Sequence, residues 1–219
     1  MIPVQECAFD ANVTESMRAF NNQFHDTGPL NPRDAFFGGR VHPTRMYSPP
    51  SNTSKKCHKD IVSLYPSVLL KEYPVAHPQV HHCDWKEGAV NWTKPEDVTV
   101  KGLIKCIVSP PKRLFLPVLP YRDDKRLLFP LCRTCVRDQR KECAFGLKQC
   151  NHTPEQREFV TSTTHFELQE ALRRGYVVTR LIETWNYEKM DDTIFAGYIK
   201  EFMKIKVSRG CDGRGAGSG

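Results

Sequence analysis

Long hydrophobic runs are missing from this sequence. No stretch approaches the roughly 20 consecutive apolar residues that a membrane-spanning helix needs, so no membrane partner is expected. A secretory leader is missing as well: the opening MIPVQECAFDANV has neither a basic n-region nor an apolar h-region, and an intracellular location is the resulting expectation. The cysteine count is nine, an odd number that a closed set of disulfides would not use up. Without a leader to an oxidising compartment, these cysteines read as reduced thiols or metal ligands. No internal repeat is found.

An acidic excess is missing too. The chain of 219 residues carries 32 Lys or Arg against 25 Asp or Glu, a net charge of +7. The positive charge is local, because Lys112–Lys148 holds ten Lys or Arg and four Asp or Glu. A patch of that kind suits a phosphate backbone, since each neutralised phosphate releases condensed counterions. A solvated face without a partner is the alternative. Hydrophobic content of 39% and charged content of 26% are ordinary for a globular chain with a sizeable core.

Punctuation divides the chain into zones. Residues 1–54 are rich in turn signals (TGPLNPRD, FFGGR, YSPPSNTS) and read as loops around short elements. In 55–76 the string KDIVSLYPSVLL predicts a strand ending at Asp60–Val62 and then a helix, because Pro66 stops strand pairing but is tolerated in a first helical turn. Residues 77–175 form a middle zone with Pro-marked breaks and the cysteine cluster. Within it, Thr164 with Glu167 forms a capping-box pattern, and Gly175 is a stop for the short helix between them. GYVVTRLIETWNYE predicts a strand with Tyr176, Val178 and Ile182 on one face and Val177, Leu181, Trp185 and Tyr187 on the other. Ile194, Tyr198, Ile199 and Phe202 fit an amphipathic helix, preceded by Asp191 and Asp192 as a helix start. The glycine-rich tail, 207–219, is expected to be disordered.

A carboxylate beside a turn that presents backbone N–H groups is a natural place to hold a divalent cation against a phosphate, since Mg²⁺ takes one or two carboxylates plus phosphate oxygens. Tyr65, directly after that turn, offers a flat floor for a sugar. A helix cap or solvated residue is the alternative for an Asp of this kind. LCRTCV followed by KQCNHT gives Cys132-x2-Cys135-x14-Cys150-x-His152, a spacing that fits tetrahedral Zn²⁺, with Cys143 as a spare thiol; buried or free thiols remain open. His77, His81, His82 and Cys83 (HPQVHHC) read as an ordinary loop.

The string Asp60-x-x-Ser63-Leu64-Tyr65-Pro66-Ser67 resembles motif A of family B DNA polymerases, in surroundings similar to the protein-primed branch of linear plasmids, some viruses and Polinton or Maverick transposons. PRDAFFGGRVHPTRMY resembles the segment joining exonuclease and polymerase domains there, with Phe36-Phe37-Gly38-Gly39 in place of its Tyr-x-Gly-Gly. KEYPVAHPQ and ELQEALRRGYVVTRLIETWNY resemble stretches after motif A. The resemblance covers roughly residues 32–206.

It implies a mixed α/β (α+β) fold: a partial polymerase palm in 55–76 and 176–206, with an inserted subdomain at 77–175 that holds the Cys/His pattern, stabilised by zinc if that pattern binds it. Asp60 would be one of two carboxylates holding paired Mg²⁺ ions. Ser63 and Leu64 would lie along the triphosphate of a deoxynucleotide, and Tyr65 would exclude a 2′-hydroxyl. Phe36, Gly38, Gly39 and Arg40 would contact the DNA template and primer, and the insertion would meet the priming protein. The second metal carboxylate, the Lys-rich helix and the exonuclease motifs of the family are not found here, so the chain reads as a fragment, inactive alone. A nuclear location would follow if its source is a eukaryotic transposon. The alternative is a non-catalytic module that binds DNA or a priming protein through the basic insertion.

Overall fold

The computed structural model describes residues 28–38, 59–61, 63–123, 126–139 and 150–212, with isolated positions 14, 15, 17, 47, 49 and 57; side chains are described as far as Ile205. In chain order the elements are α1 (Leu64–Leu69), β1 (Tyr73–Val75), β2 (Gln79–His82), β3 (Ala89–Trp92), β4 (Gly102–Ser109), β5 (Tyr121–Asp123) and β6 (Arg126–Leu128). They continue with α2 (Arg133–Arg137), α3 (Pro154–Arg157), β7 (Phe159–Thr164), α4 (His165–Arg173), β8 (Val177–Asn186), β9 (Lys189–Asp191) and α5 (Ala196–Asp212). Single 3-10 turns sit at Pro32–Ala35 and Pro95–Asp97. The fold is mixed α/β, and every strand pair is antiparallel. Among the described residues no helix is long and apolar enough to cross a membrane.

Two compact units divide the chain, one made of 1–37 and 78–187, the other of 38–77 and 188–219. The first is built on a sheet of order β2-β8-β4-β7, with β3 sharing the edge of β8 that β2 occupies. Strand β4 reads GLIKCIVS and is buried along nearly its whole length, because β7 and β8 flank it and both of its faces are covered. Ile104, Cys106 and Val108 point into the main core with Phe159, Leu168, Leu172, Tyr176 and Val178. Leu103 points the other way, to Leu30, Ala35 and Trp185. Burial of each such large side chain contributes about 1.5–3 kcal/mol.

Helix α4 begins and ends where its sequence says it should. Thr164 Oγ1 accepts from the Glu167 N–H at 3.4 Å, and Glu167 Oε2 accepts from the Thr164 N–H at 3.3 Å, closing the capping box. At the other end Gly175 takes φ +85°, which glycine adopts without a Cβ penalty. The Tyr176 N–H then reaches the Ala171 carbonyl at 3.1 Å and the Gly175 N–H the Leu172 carbonyl at 3.0 Å. This reversal delivers Tyr176 into the core, where its hydroxyl oxygen accepts from the Val118 N–H at 3.3 Å.

Strand β8 departs from its expected two-faced pattern. Its pairing with β4 skips Thr179, between Val178 and Arg180, and Ile182, between Leu181 and Glu183. Each skipped residue flips the parity of the side chains that follow, so Leu181 joins Val178 and Tyr176 in the main core instead of opposing them. At the start of β4, Gly102 approaches β8 so closely that a Cβ there would lie 2.1 Å from the Trp185 carbonyl oxygen.

Other expectations are corrected by the backbone. Residues 59–61 form no strand, and Val62 lies outside the described residues; the helix that follows is present, with Pro66 inside its first turn. Gln79–His82 is a strand on the edge of β8 and not a loop. Asp191 ends strand β9, paired with β1, and α5 starts only at Ala196. The expected disordered tail is helical to Asp212; residues 213–219 lie outside the described residues.

In the second unit, α1, the β1–β9 ladder and α5 come together. The Tyr73 hydroxyl donates to the Val68 carbonyl at 3.2 Å, and the Tyr73 ring meets Phe195 edge-on at 5.2 Å. Asp191 accepts from the backbone and hydroxyl of Thr193, which hold its carboxyl below the usual range and shape the turn into α5.

Candidate functional site

Asp60 lies in irregular backbone and is exposed. Three residues on, Ser63 adopts a left-handed conformation (φ 58°, ψ 36°), sparsely populated for a residue with a Cβ, and turns the chain into α1. Its carbonyl is held by the Ser67 N–H at 3.0 Å and the Ser67 hydroxyl at 2.9 Å. Leu64 and Tyr65 occupy the first turn of α1, and the Tyr65 ring is 83% exposed. Among the described residues Asp60 belongs to no group of three or more metal-ligating side chains.

Phe36 follows the Pro32–Ala35 turn and is 61% exposed, whereas its neighbour Phe37 packs edge-on against Phe129 at 6.2 Å. A Cβ on Gly38 would meet no atom of the described residues within 4 Å. Gly39 and Arg40 lie outside the described residues. Phe36 belongs to the first compact unit and Gly38, Asp60, Ser63, Leu64 and Tyr65 to the second.

The cysteine pattern, by contrast, converges in space. Cys132, Cys135, Cys150 and His152 place one ligand atom each within 4.8 Å of all the others. His152 Nδ1 lies 3.3 Å from Cys132 Sγ and 3.4 Å from Cys135 Sγ. Cys132 is the N-cap of α2, and its sulfur accepts from the Cys135 N–H at 3.5 Å. Burial pushes the Cys132 thiol above its ordinary range, and that N–H acts against the shift. Cys143 lies outside the described residues. The histidine-rich string shows no such convergence: His81 Nε2 meets Glu87 at 3.2 Å and His82 Nδ1 meets Glu183 at 3.4 Å, in different directions, as neighbours on a strand must be.

Sequence reasoning missed two facing buried charged residues, Glu183 and Lys105. Glu183 sits inside β8 with its side chain 3% exposed. Its Oε2 accepts from the Leu30 N–H at 2.7 Å and its Oε1 from the Trp185 indole N–H at 2.6 Å. Opposite it on β4 stands the buried Lys105, whose Nζ donates to the Gly28 carbonyl at 2.9 Å. The two side chains tie the segment that leads to Phe36 onto the sheet. The only sequence signal was a Lys in an otherwise apolar strand.

Residues 30–211 match the family described as DNA polymerase type B, organellar and viral, which covers both the Asp60–Ser67 string and the cysteine cluster. The chain belongs to that family. No curated protein and no solved structure matches it. DNA-directed nucleotidyl transfer is the reaction of that family, and membership implies DNA and deoxynucleoside triphosphates as partners and divalent metal ions as cofactors.

Proposed function

We propose that this chain is a region of a protein-primed polymerase and that the head of α1 is its incoming-nucleotide site. The observation that supports this most is the exposure of Asp60 and Tyr65 on either side of the strained Ser63 turn, within the family match. Bound Mg²⁺ would neutralise triphosphate charge during in-line attack by the primer hydroxyl. Asp60 supplies one of the two carboxylates that hold it. Ser63 and Leu64 lie along the triphosphate, and the Tyr65 ring supports the deoxyribose and rejects a 2′-hydroxyl by clash. Phe36, Gly38, Gly39 and Arg40 face the template, where glycines let the two backbones approach.

Residues 1–219 supply Asp60 alone of the carboxylate pair, so the isolated chain is expected not to extend a primed template with Mg²⁺ and four deoxynucleotides. Extension that disappears in Asp60→Ala would overturn that inactivity while supporting the role of Asp60. The site itself is tested by equilibrium binding of dATP with Mg²⁺. Asp60→Ala should weaken it about tenfold, equivalent to about 1.4 kcal/mol, and unchanged affinity would refute the assignment.

A second reading, a module that binds DNA or a priming protein without catalysis, is favoured by the local basic excess and the clustered Cys and His side chains. DNA affinity that falls steeply with salt and is indifferent to Asp60→Ala would support it.

A further inference from the structure

The cluster Cys132–Cys135–Cys150–His152 carries an inference that does not depend on the polymerase reading. Thiol–imidazole hydrogen bonding alone does not account for its geometry. The Nδ1 atom of a neutral imidazole either donates one hydrogen or offers one lone pair. Here that single nitrogen has two sulfurs at 3.3 and 3.4 Å and belongs to a group with a third, Cys150, all within 4.8 Å. A cation at the centre would use all four lone pairs at once. Tetrahedral zinc, with Zn–S of about 2.3 Å and Zn–N of about 2.0–2.1 Å, implies S···N edges of about 3.6 Å and S···S edges of about 3.8 Å. The two S···N separations are within a few tenths of an ångström of that edge, and the four ligand atoms all lie within 4.8 Å of one another.

The surroundings are those of a closed structural site. Cys132 and Cys135 are buried, and the Cys135 N–H already points at the Cys132 sulfur, as an N–H does when it supports a thiolate ligand. The two halves are braced independently of any ion. Thr134 Oγ1 donates to the Gln156 carbonyl at 2.6 Å, and the Arg157 guanidinium holds the Leu131 carbonyl at 3.0 Å and the Pro111 carbonyl at 2.6 Å. Three thiolates and one imidazole, with no fourth position left for solvent, favour Zn²⁺ over the harder divalent ions.

We infer that Cys132, Cys135, Cys150 and the Nδ1 atom of His152 bind one structural Zn²⁺, which joins α2 to the segment entering α3. The ligand pairs lie on either side of a sequence stretch, 136–149, with four Lys or Arg and two Asp or Glu.

The test uses the purified, reduced full chain without a chelator. Elemental mass spectrometry is expected to find about one zinc per chain, and Co²⁺ loading to give the intense absorption of a tetrahedral thiolate site. Alkylation followed by peptide mapping should leave Cys132, Cys135 and Cys150 protected until a chelator is added, while the exposed Cys57 reacts throughout. Cys132→Ser/Cys135→Ser should lose the zinc and Cys106→Ser, a buried thiol outside the cluster, should keep it. No metal and no tetrahedral Co²⁺ spectrum, another metal in place of zinc, protection that a chelator leaves unchanged, or zinc retained in the double variant would each overturn the proposal. The cobalt and alkylation readings use the unaltered chain, so a variant that fails to fold does not shield the idea.

Discussion

Replacing Glu183 with alanine should loosen the whole segment that leads to Phe36. The carboxylate is buried in β8 and accepts from the Leu30 N–H at 2.7 Å and the Trp185 indole N–H at 2.6 Å. Alanine leaves both donors without that acceptor. Each buried donor left unsatisfied costs about 1–3 kcal/mol, so the pair predicts a loss of about 2–6 kcal/mol. With a urea dependence of about 2 kcal/mol per molar, the unfolding midpoint followed by tryptophan fluorescence should fall by about 1–3 M. Glu183→Gln keeps one acceptor oxygen and should cost about half as much. Hydrogen exchange separates this mechanism from a general loss of packing, because the Leu30 amide should exchange much faster in the alanine variant. A midpoint shift below about 0.3 M, or an undisturbed Leu30 amide, would refute the reasoning.

Other predictions use the same logic. Thr164→Ala removes the N-cap of α4 and should cost about 1 kcal/mol; adding Glu167→Ala should cost less than the sum of the singles in urea melts, because the two side chains cap each other. Gly102→Ala should be poorly folded by circular dichroism, since its Cβ would meet the Trp185 carbonyl oxygen at 2.1 Å. Burial holds His165 below the ordinary histidine pKa of 6.5, with Lys101 adding to the effect and the Gly102 carbonyl opposing it. The unfolded chain therefore binds this proton first as pH falls, and stability should decline as pH drops below 6.5 toward the lower folded value. His165→Gln should flatten that part of the pH–stability curve; an unchanged slope would contradict it. Under the DNA-binding reading, Arg140→Gln/Lys141→Gln should reduce the slope of log affinity against log salt by about 2.

What was legible in the sequence was local. The capping box at Thr164, the glycine stop at Gly175 and the β-branched run of β8 each act through neighbours a few residues away, and the cysteine spacing constrains itself. What was not legible depends on distant partners. The skipped residues Thr179 and Ile182 exist only because β4 pairs with β8, so alternation alone placed Leu181 on the wrong face. His81 and His82 became strand residues because β8 offers an edge, which their own sequence does not announce. Glu183 and Lys105 were not singled out in the sequence, since the backbone groups that hold them lie far along the chain in the Gly28–Leu30 segment. Asp60 and Tyr65 stood out by pattern, and both are exposed.

The most direct measurement of the central claim is photo-crosslinking of a base-azido deoxynucleoside triphosphate to the full chain, with the adduct mapped by peptide mass spectrometry. The account predicts a Mg²⁺-dependent adduct within residues 60–70, competed by deoxynucleotides better than by ribonucleotides and lost in Asp60→Ala. Labelling scattered over the chain, or an adduct indifferent to Mg²⁺ and to Asp60→Ala, would contradict it.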